Sequence, residues 1–191
     1  LFPGGSMETV RPVYEDAAPA AFYNSLVVRA VQEAVRGCDR NCDTDGTAVL
    51  LEVGAGTGGT ASSVLPVLES ACARYVFTDV SAMFLQQASA RFAAYDLVAY
   101  ALLNIDADPR LQGFASRQFD ALIATNVLHA TPYIRRTSRH CRLLLRAGGL
   151  LVLNEGLATS AFAQITFGMT DGWWLFRRAD DPERAGQHAP F

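Results

Sequence analysis

The sequence contains no lysine; all 16 of its basic residues are arginine. We read that as a coding bias, not a mark of function. Cysteine is scarce, four in 191 residues, too few for a disulfide framework and consistent with a reduced, cytoplasmic setting. Cys38 and Cys42 bracket a polar loop, and Cys72 and Cys141 lie in apolar, helix-like surroundings. A metal site on Cys38-x-x-x-Cys42 needs two further ligands at regular spacing and none stand nearby, so no metal is expected. A basic excess is also missing, since the net charge is −3, which argues against a nucleic-acid partner. No uncharged apolar run reaches the roughly 18–20 residues of a membrane span. Residues 1–5 lack the basic flank of a secretory leader.

What is present is apolar: 50% of the residues are hydrophobic and only 18% charged. Disorder is excluded for most of such a chain, and its length suits one globular domain with a sizeable core. The first residue is Leu1 and the chain stops soon after a polar stretch at 180–189. It reads as a fragment of a larger multidomain protein.

Strand-length apolar runs alternate with helix-length amphipathic segments. Strands are expected at 48–53, 74–79, 97–103, 119–125 and 149–155. Helical periodicity covers 20–35, with Phe22, Leu26, Val27, Ala30, Val31 and Ala34 as its stripe and Gly37 as its stop. Further helices are expected at 60–73, kinked by Pro66, at 81–94 with Ser81 as N-cap, and at 132–146, ended by Gly148. This alternation predicts an α/β fold, a Rossmann-like, doubly wound and mostly parallel sheet. Residues 1–46 form an N-terminal helical region, 47–155 the cofactor-binding core and 156–191 a substrate-side tail. No convincing strand pair can be drawn after Glu155, because glycines and charges interrupt the apolar pattern. Ligands of such sheets bind at the carboxyl ends of the strands, so 54–59, Asp79, 104–106, 126–129 and Glu155 carry the interest.

The stretch EVGAGTGG, residues 52–59, follows a strand and opens a helix. Its glycines let the backbone turn tightly and approach a ligand. Asp79 ends the next strand, where a carboxylate can accept from both hydroxyls of a ribose. Alone, the pattern suits either a dinucleotide or S-adenosylmethionine.

The downstream motifs decide. LLEVGAGTGG, FTDVSAMFLQQA, NVLHAT, LLLRAGGLLVLNE and FGMTDGWWLF, in that order, resemble the C-methyltransferase domain of modular polyketide synthases, as does the opening LFPGGS. The resemblance covers about residues 1–186. It implies a class I methyltransferase fold with S-adenosylmethionine as cofactor and S-adenosylhomocysteine as product. The cofactor contacts it implies are Glu52, Gly54, Gly56, Gly58, Asp79, Val80, Asn104, Ile105 and Asn126. Two departures are visible: Ala147 replaces the family's usual proline, and Asn104 replaces an aspartate. Asn104 can still meet an adenine amino group through its carbonyl oxygen. The family also has a helical lid before LFPGGS and further strands after the region matched here.

Moving a methyl group to carbon needs a base for an acidic α-carbon, and histidine has a suitable pKa. His129 follows the fourth strand. Glu155 ends the fifth, next door, where it can orient the imidazole and stabilise the imidazolium. The resemblance implies the same His–Glu dyad, acting on a β-ketoacyl chain carried by the phosphopantetheine of an acyl carrier protein, with neighbouring synthase domains as further partners. His140 and His188 are read as bland. Arg135, Arg136, Arg139, Arg142 and Arg146 form either a solvated face or a dock for an acidic carrier. Phe167, Trp173, Trp174 and Phe176 are core or tunnel lining. The alternatives are an O-methyltransferase of a similar assembly line and a non-catalytic pseudo-methyltransferase scaffold. A dehydrogenase is weakest, since no hydride-transfer residues accompany the turn.

Overall fold

Five apolar runs become five strands: β1 (Ala48–Val53), β2 (Cys72–Asp79), β3 (Val98–Leu102), β4 (Phe119–Thr125) and β5 (Leu145–Asn154). They pair in parallel in the order β3-β2-β1-β4-β5. The computed structural model describes residues 11–38, 47–68, 72–156 and 161–190; the LFPGGS opening and Cys42 lie outside them. Around the sheet run α1 (Arg11–Glu15), α2 (Ala18–Cys38), α3 (Gly59–Val64), α4 (Ala82–Arg91), α5 (Ile134–Leu144), α6 (Ala161–Thr166) and α7 (Leu175–Arg178).

Side chains alternate across a strand, so β1 feeds two cores. Leu50 packs on one face with Val27, Val31 and Val35 of α2 and with Tyr75 and Phe77. Leu51 and Val53 pack on the other with Leu122, Cys141 and Leu144. Each fully buried valine of α2 contributes roughly 1.5–3 kcal/mol. Burial pushes the Cys141 thiol up to about 12, which marks it as an inert core residue.

The structure corrects several boundaries. In α2 the buried row is Asn24, Val27, Val31 and Val35, while Phe22 and Leu26 are 59% and 45% exposed. The apolar stripe spans two helix faces, and the sheet takes the i, i+4 row. The helix expected at 60–73 stops at Val64, because Pro66 sits in a 3₁₀ turn, and Cys72 begins a strand instead of lying in a helix. Ser81 occupies the N-cap of α4 without a side-chain capping bond; its amide donates to Asp79 Oδ1 instead (2.8 Å).

Helix α5 ends at Leu144, and the chain passes directly into β5. Phe119 pairs with Leu145 but Ala121 with Leu150, so the residues between form a bulge. Gly148 therefore serves a bulge, not a helix stop, with φ +78°. Asp120 pins this corner by accepting from the Val49 amide and from Arg146, both at 2.7 Å. Among the described residues no strand follows Asn154, and no helix is long and apolar enough to cross a membrane.

Candidate active site

The carboxyl ends of the strands converge on two adjoining cavities. One of about 190 Å³ lies against Tyr14, Glu52 and the glycine turn. The other, about 480 Å³, lies against Asp79, Val80, Asn104 and Ile105. Gly54 and Asn126 line both, so the expected cofactor residues share one edge of the sheet.

The turn depends on its glycines. Gly54 has φ +60°, and a Cβ there would stand 2.7 Å from a Val127 methyl. A side chain at this point would strain the backbone and fill the meeting place of the two cavities. Gly56 also lines the first cavity. Gly58 lines neither; it faces the Phe92 ring, 2.8 Å from where its Cβ would be.

Glu52 is 1% exposed at the end of β1 and accepts from the Tyr75 hydroxyl at 2.7 Å. Burial pushes its carboxyl up to about 8; the Tyr75 bond opposes that rise and the Asp79 charge adds to it. Asp79 is 6% exposed at the end of β2. It accepts from the Gly56 amide (3.0 Å) through Oδ2 and from the Ser81 amide through Oδ1. Burial raises its pKa, while the amides of Ser81, Gly56 and Val80 pull the other way. One carboxylate thus sets the glycine turn and keeps remaining lone pairs toward the second cavity.

That cavity has apolar walls at Val80, Leu103 and Ile105. Asn104 lines it too, but its carbonyl oxygen accepts from the Asp106 amide at 3.0 Å. This local turn leaves one lone pair of that oxygen for a ligand. Sequence reading passed over His140, yet its Nδ1 donates to the Ile105 carbonyl at 2.7 Å and holds the cavity wall.

His129 sits in a 3₁₀ turn, Leu128–Ala130, just beyond β4. Its Nδ1 lies 2.6 Å from Glu155 Oε2. The other oxygen, Oε1, accepts from the amides of Val127 (2.9 Å) and Leu128 (2.8 Å). A carboxylate accepts only, so Nδ1 is the donor of this pair, and in the neutral imidazole the lone pair then belongs to Nε2. Sequence separates the pair by 26 residues; the parallel pairing of β4 and β5 brings them together. Neither side chain lines the two cavities, but neighbouring Val127, Ala130 and Thr131 do.

The aromatics divide. Trp173 meets the His129 ring edge-on at 5.9 Å and stacks on Phe167 at 6.0 Å, beside Tyr14. Phe176 is core, 2% exposed. The arginine face is partly spent inside the protein: Arg135 pairs with Glu183, Arg136 with Asp106 and Arg146, which lies in β5, with Asp120.

Comparison with known proteins agrees with this fold. The methyltransferase domain family matches residues 51–151, more than half of the chain. Polyketide synthase ThaG of Burkholderia thailandensis is 46% identical over 183 residues, 94% of this chain but 3% of that protein. Among solved structures, the DszA carbon methyltransferase superposes with a TM-score of 0.90 at 36% identity, covering 100% of this chain and 49% of that one. The trans-methyltransferase CalH, solved in complex with S-adenosylhomocysteine, gives 0.74 at 32% identity, with 98% and 52% covered. The chain spans about half of these solved domains and a small part of the synthase. With a glycine turn, a buried aspartate and a His–Glu pair on one sheet edge, this chain belongs to the methyltransferase domain family.

Proposed function

We propose that this domain is an S-adenosylmethionine-dependent C-methyltransferase that acts on the α-carbon of a β-ketoacyl chain. The chain is held by the phosphopantetheine of an acyl carrier protein, within a larger synthase whose other domains are its neighbours. The observation that carries the reading is the His129–Glu155 pair, placed beyond β4 and β5 beside the cavity that Asp79 lines.

The residues present suit the cofactor. Asp79 offers acceptor lone pairs for a ribose diol, and Val80, Leu103 and Ile105 give an apolar slot for a base ring. Glu52 and the glycine turn face the first cavity, where the carboxyl's oxygens can accept from an ammonium group, whose charge would favour ionisation of that buried acid. When bound, S-adenosylmethionine supplies an electrophilic methyl on a sulfonium sulfur.

The protein's part is to hold and remove a proton. His129 Nε2 would take the α-proton of the β-ketoacyl thioester, leaving the C–H electron pair on the α-carbon; the methyl would come with cleavage of its bond to sulfur, whose electrons stay on S-adenosylhomocysteine. Glu155 keeps Nδ1 protonated and balances the imidazolium. Trp173 packs edge-on against the imidazole on one side.

Incubation of the domain with S-adenosylmethionine and a β-ketoacyl carrier protein, read by mass spectrometry, tests the reading. One added methyl located on the α-carbon is expected. A methyl on oxygen would make it an O-methyltransferase. Cofactor binding without transfer would favour a scaffold.

A further inference from the structure

Arg184 is 5% exposed, although it lies in the polar tail. Its guanidinium uses all five of its N–H donors. Nε donates to Asp181 Oδ2 at 2.7 Å. Nη1 donates to the carbonyls of His129 (2.7 Å) and Pro190 (3.3 Å). Nη2 donates to those of Thr131 (2.6 Å) and Pro132 (3.1 Å). The cation also lies over the Phe176 ring, 5.1 Å from its centroid.

Three of these acceptors belong to the segment that carries the base and forms part of the second cavity's wall. That backbone is irregular, so its carbonyls find no regular sheet or helix partners. Glu155 holds the same segment through the amides of Val127 and Leu128. One anion therefore fixes its N–H groups and one cation its carbonyls. Asp181, 4% exposed, neutralises Arg184 and accepts from the Ile134 amide at 3.2 Å, tying in the start of α5. Desolvation would raise the Asp181 carboxyl, but Arg184 and the amides of Ile134 and Glu183 hold it below its ordinary value.

We propose that Arg184 is a positioning residue for methyl transfer: it fixes the peptide of His129 so that the imidazole meets substrate and Glu155 in register. This rests on His129 being the base. Lysine can keep the charge and the Asp181 pair, but its three donors cannot span the three loop carbonyls. A shift of about 1 Å in a positioned group can cost on the order of 10²-fold.

The test is steady-state kinetics on Arg184→Lys and Arg184→Gln beside His129→Ala and Glu183→Gln, with β-ketoacyl carrier protein and S-adenosylmethionine. Arg184→Lys should lose about 10–100-fold in kcat, with KM and cofactor affinity within a few-fold of wild type. Arg184→Gln should lose at least as much. Glu183→Gln, which breaks only the exposed tie to Arg135, should keep wild-type kcat. A folded Arg184→Lys with unchanged kcat, or with its loss confined to KM, overturns the proposal while His129→Ala still confirms the base. If neither Arg184 variant folds, the residue is structural and the proposal fails. Full turnover in His129→Ala sinks the base assignment itself, and this inference with it.

Discussion

The backbone carbonyl of Tyr14 lies 2.9 Å from where a Cβ on Gly59 would stand. Gly59 thus lets α1 settle directly on the start of α3. Arg91 holds it there, donating to both carboxylate oxygens of Glu15 and to the Thr57 carbonyl at 3.0 Å. Tyr14 in turn lines the first cavity, so this close approach shapes the space proposed for the cofactor.

Gly59→Ala is therefore expected to push α1 outward, cost about 1–3 kcal/mol of stability and weaken the cofactor. Gly37, in α2, has nothing within 4 Å of its Cβ position. Gly37→Ala should stabilise by about 0.5–1 kcal/mol. Thermal melts of the two variants should move in opposite directions; movement of both in one direction would contradict the account of α1.

Asp79→Ala removes the acceptor of the Gly56 and Ser81 amides as well as the proposed ribose partner. Binding of S-adenosylmethionine should weaken by about 1.5–3 kcal/mol. Calorimetry on the folded variant reads this directly, and unchanged affinity would remove Asp79 from the site.

His129→Ala should lower methyl transfer by roughly 10²–10⁴-fold with cofactor affinity kept. Glu155→Gln has a sharper meaning. Its single carbonyl oxygen cannot serve the Val127 and Leu128 amides and Nδ1 together. With its NH₂ toward Nδ1, the imidazole must carry its proton on Nε2, the wrong tautomer for a base. Loss of kcat without loss of cofactor affinity is expected from single-turnover measurements.

Glu52 gives a pH dependence of definite sign. Its carboxyl titrates at about 8 in the folded chain against 4.5 ordinarily. Between those values the folded state binds more protons than the unfolded one. This group's contribution therefore falls as pH rises from 4.5 to 8, by at most about 1.4 kcal/mol per unit. Glu52→Gln, which can still accept from Tyr75, should flatten that slope in denaturant titrations run across the window. An identical slope would show that the carboxyl is ionised throughout.

Much of this molecule is written in its local pattern. The strands at 48–53 and 119–125 match their expected limits because each is a short apolar run with clear flanks. The turn, Asp79, His129 and Glu155 fall at strand ends, which the alternation of elements places on one edge. The edge of α5 was less legible, because Gly148 signals a helix stop and a bulge equally well. Arg184 was invisible for a different reason. Four of its acceptors are backbone carbonyls, which any residue supplies, and only Asp181, three positions earlier, hints at a partner. Such a clamp leaves no periodicity to read.

The strand order also has a consequence for synthesis. Of the strands among the described residues β1 is made first and ends at the centre of the sheet, but β4, its partner on one flank, emerges long after β2. At about 5–20 residues per second on the ribosome, that flank of β1 waits several seconds. Leu51 and Val53 stay without Leu122 and Ala124 for that time, and only then does the Val49 amide find Asp120. A nascent chain stalled before Phe119 should be the species that chaperones capture, and one stalled beyond the α5–β5 segment the first to release them.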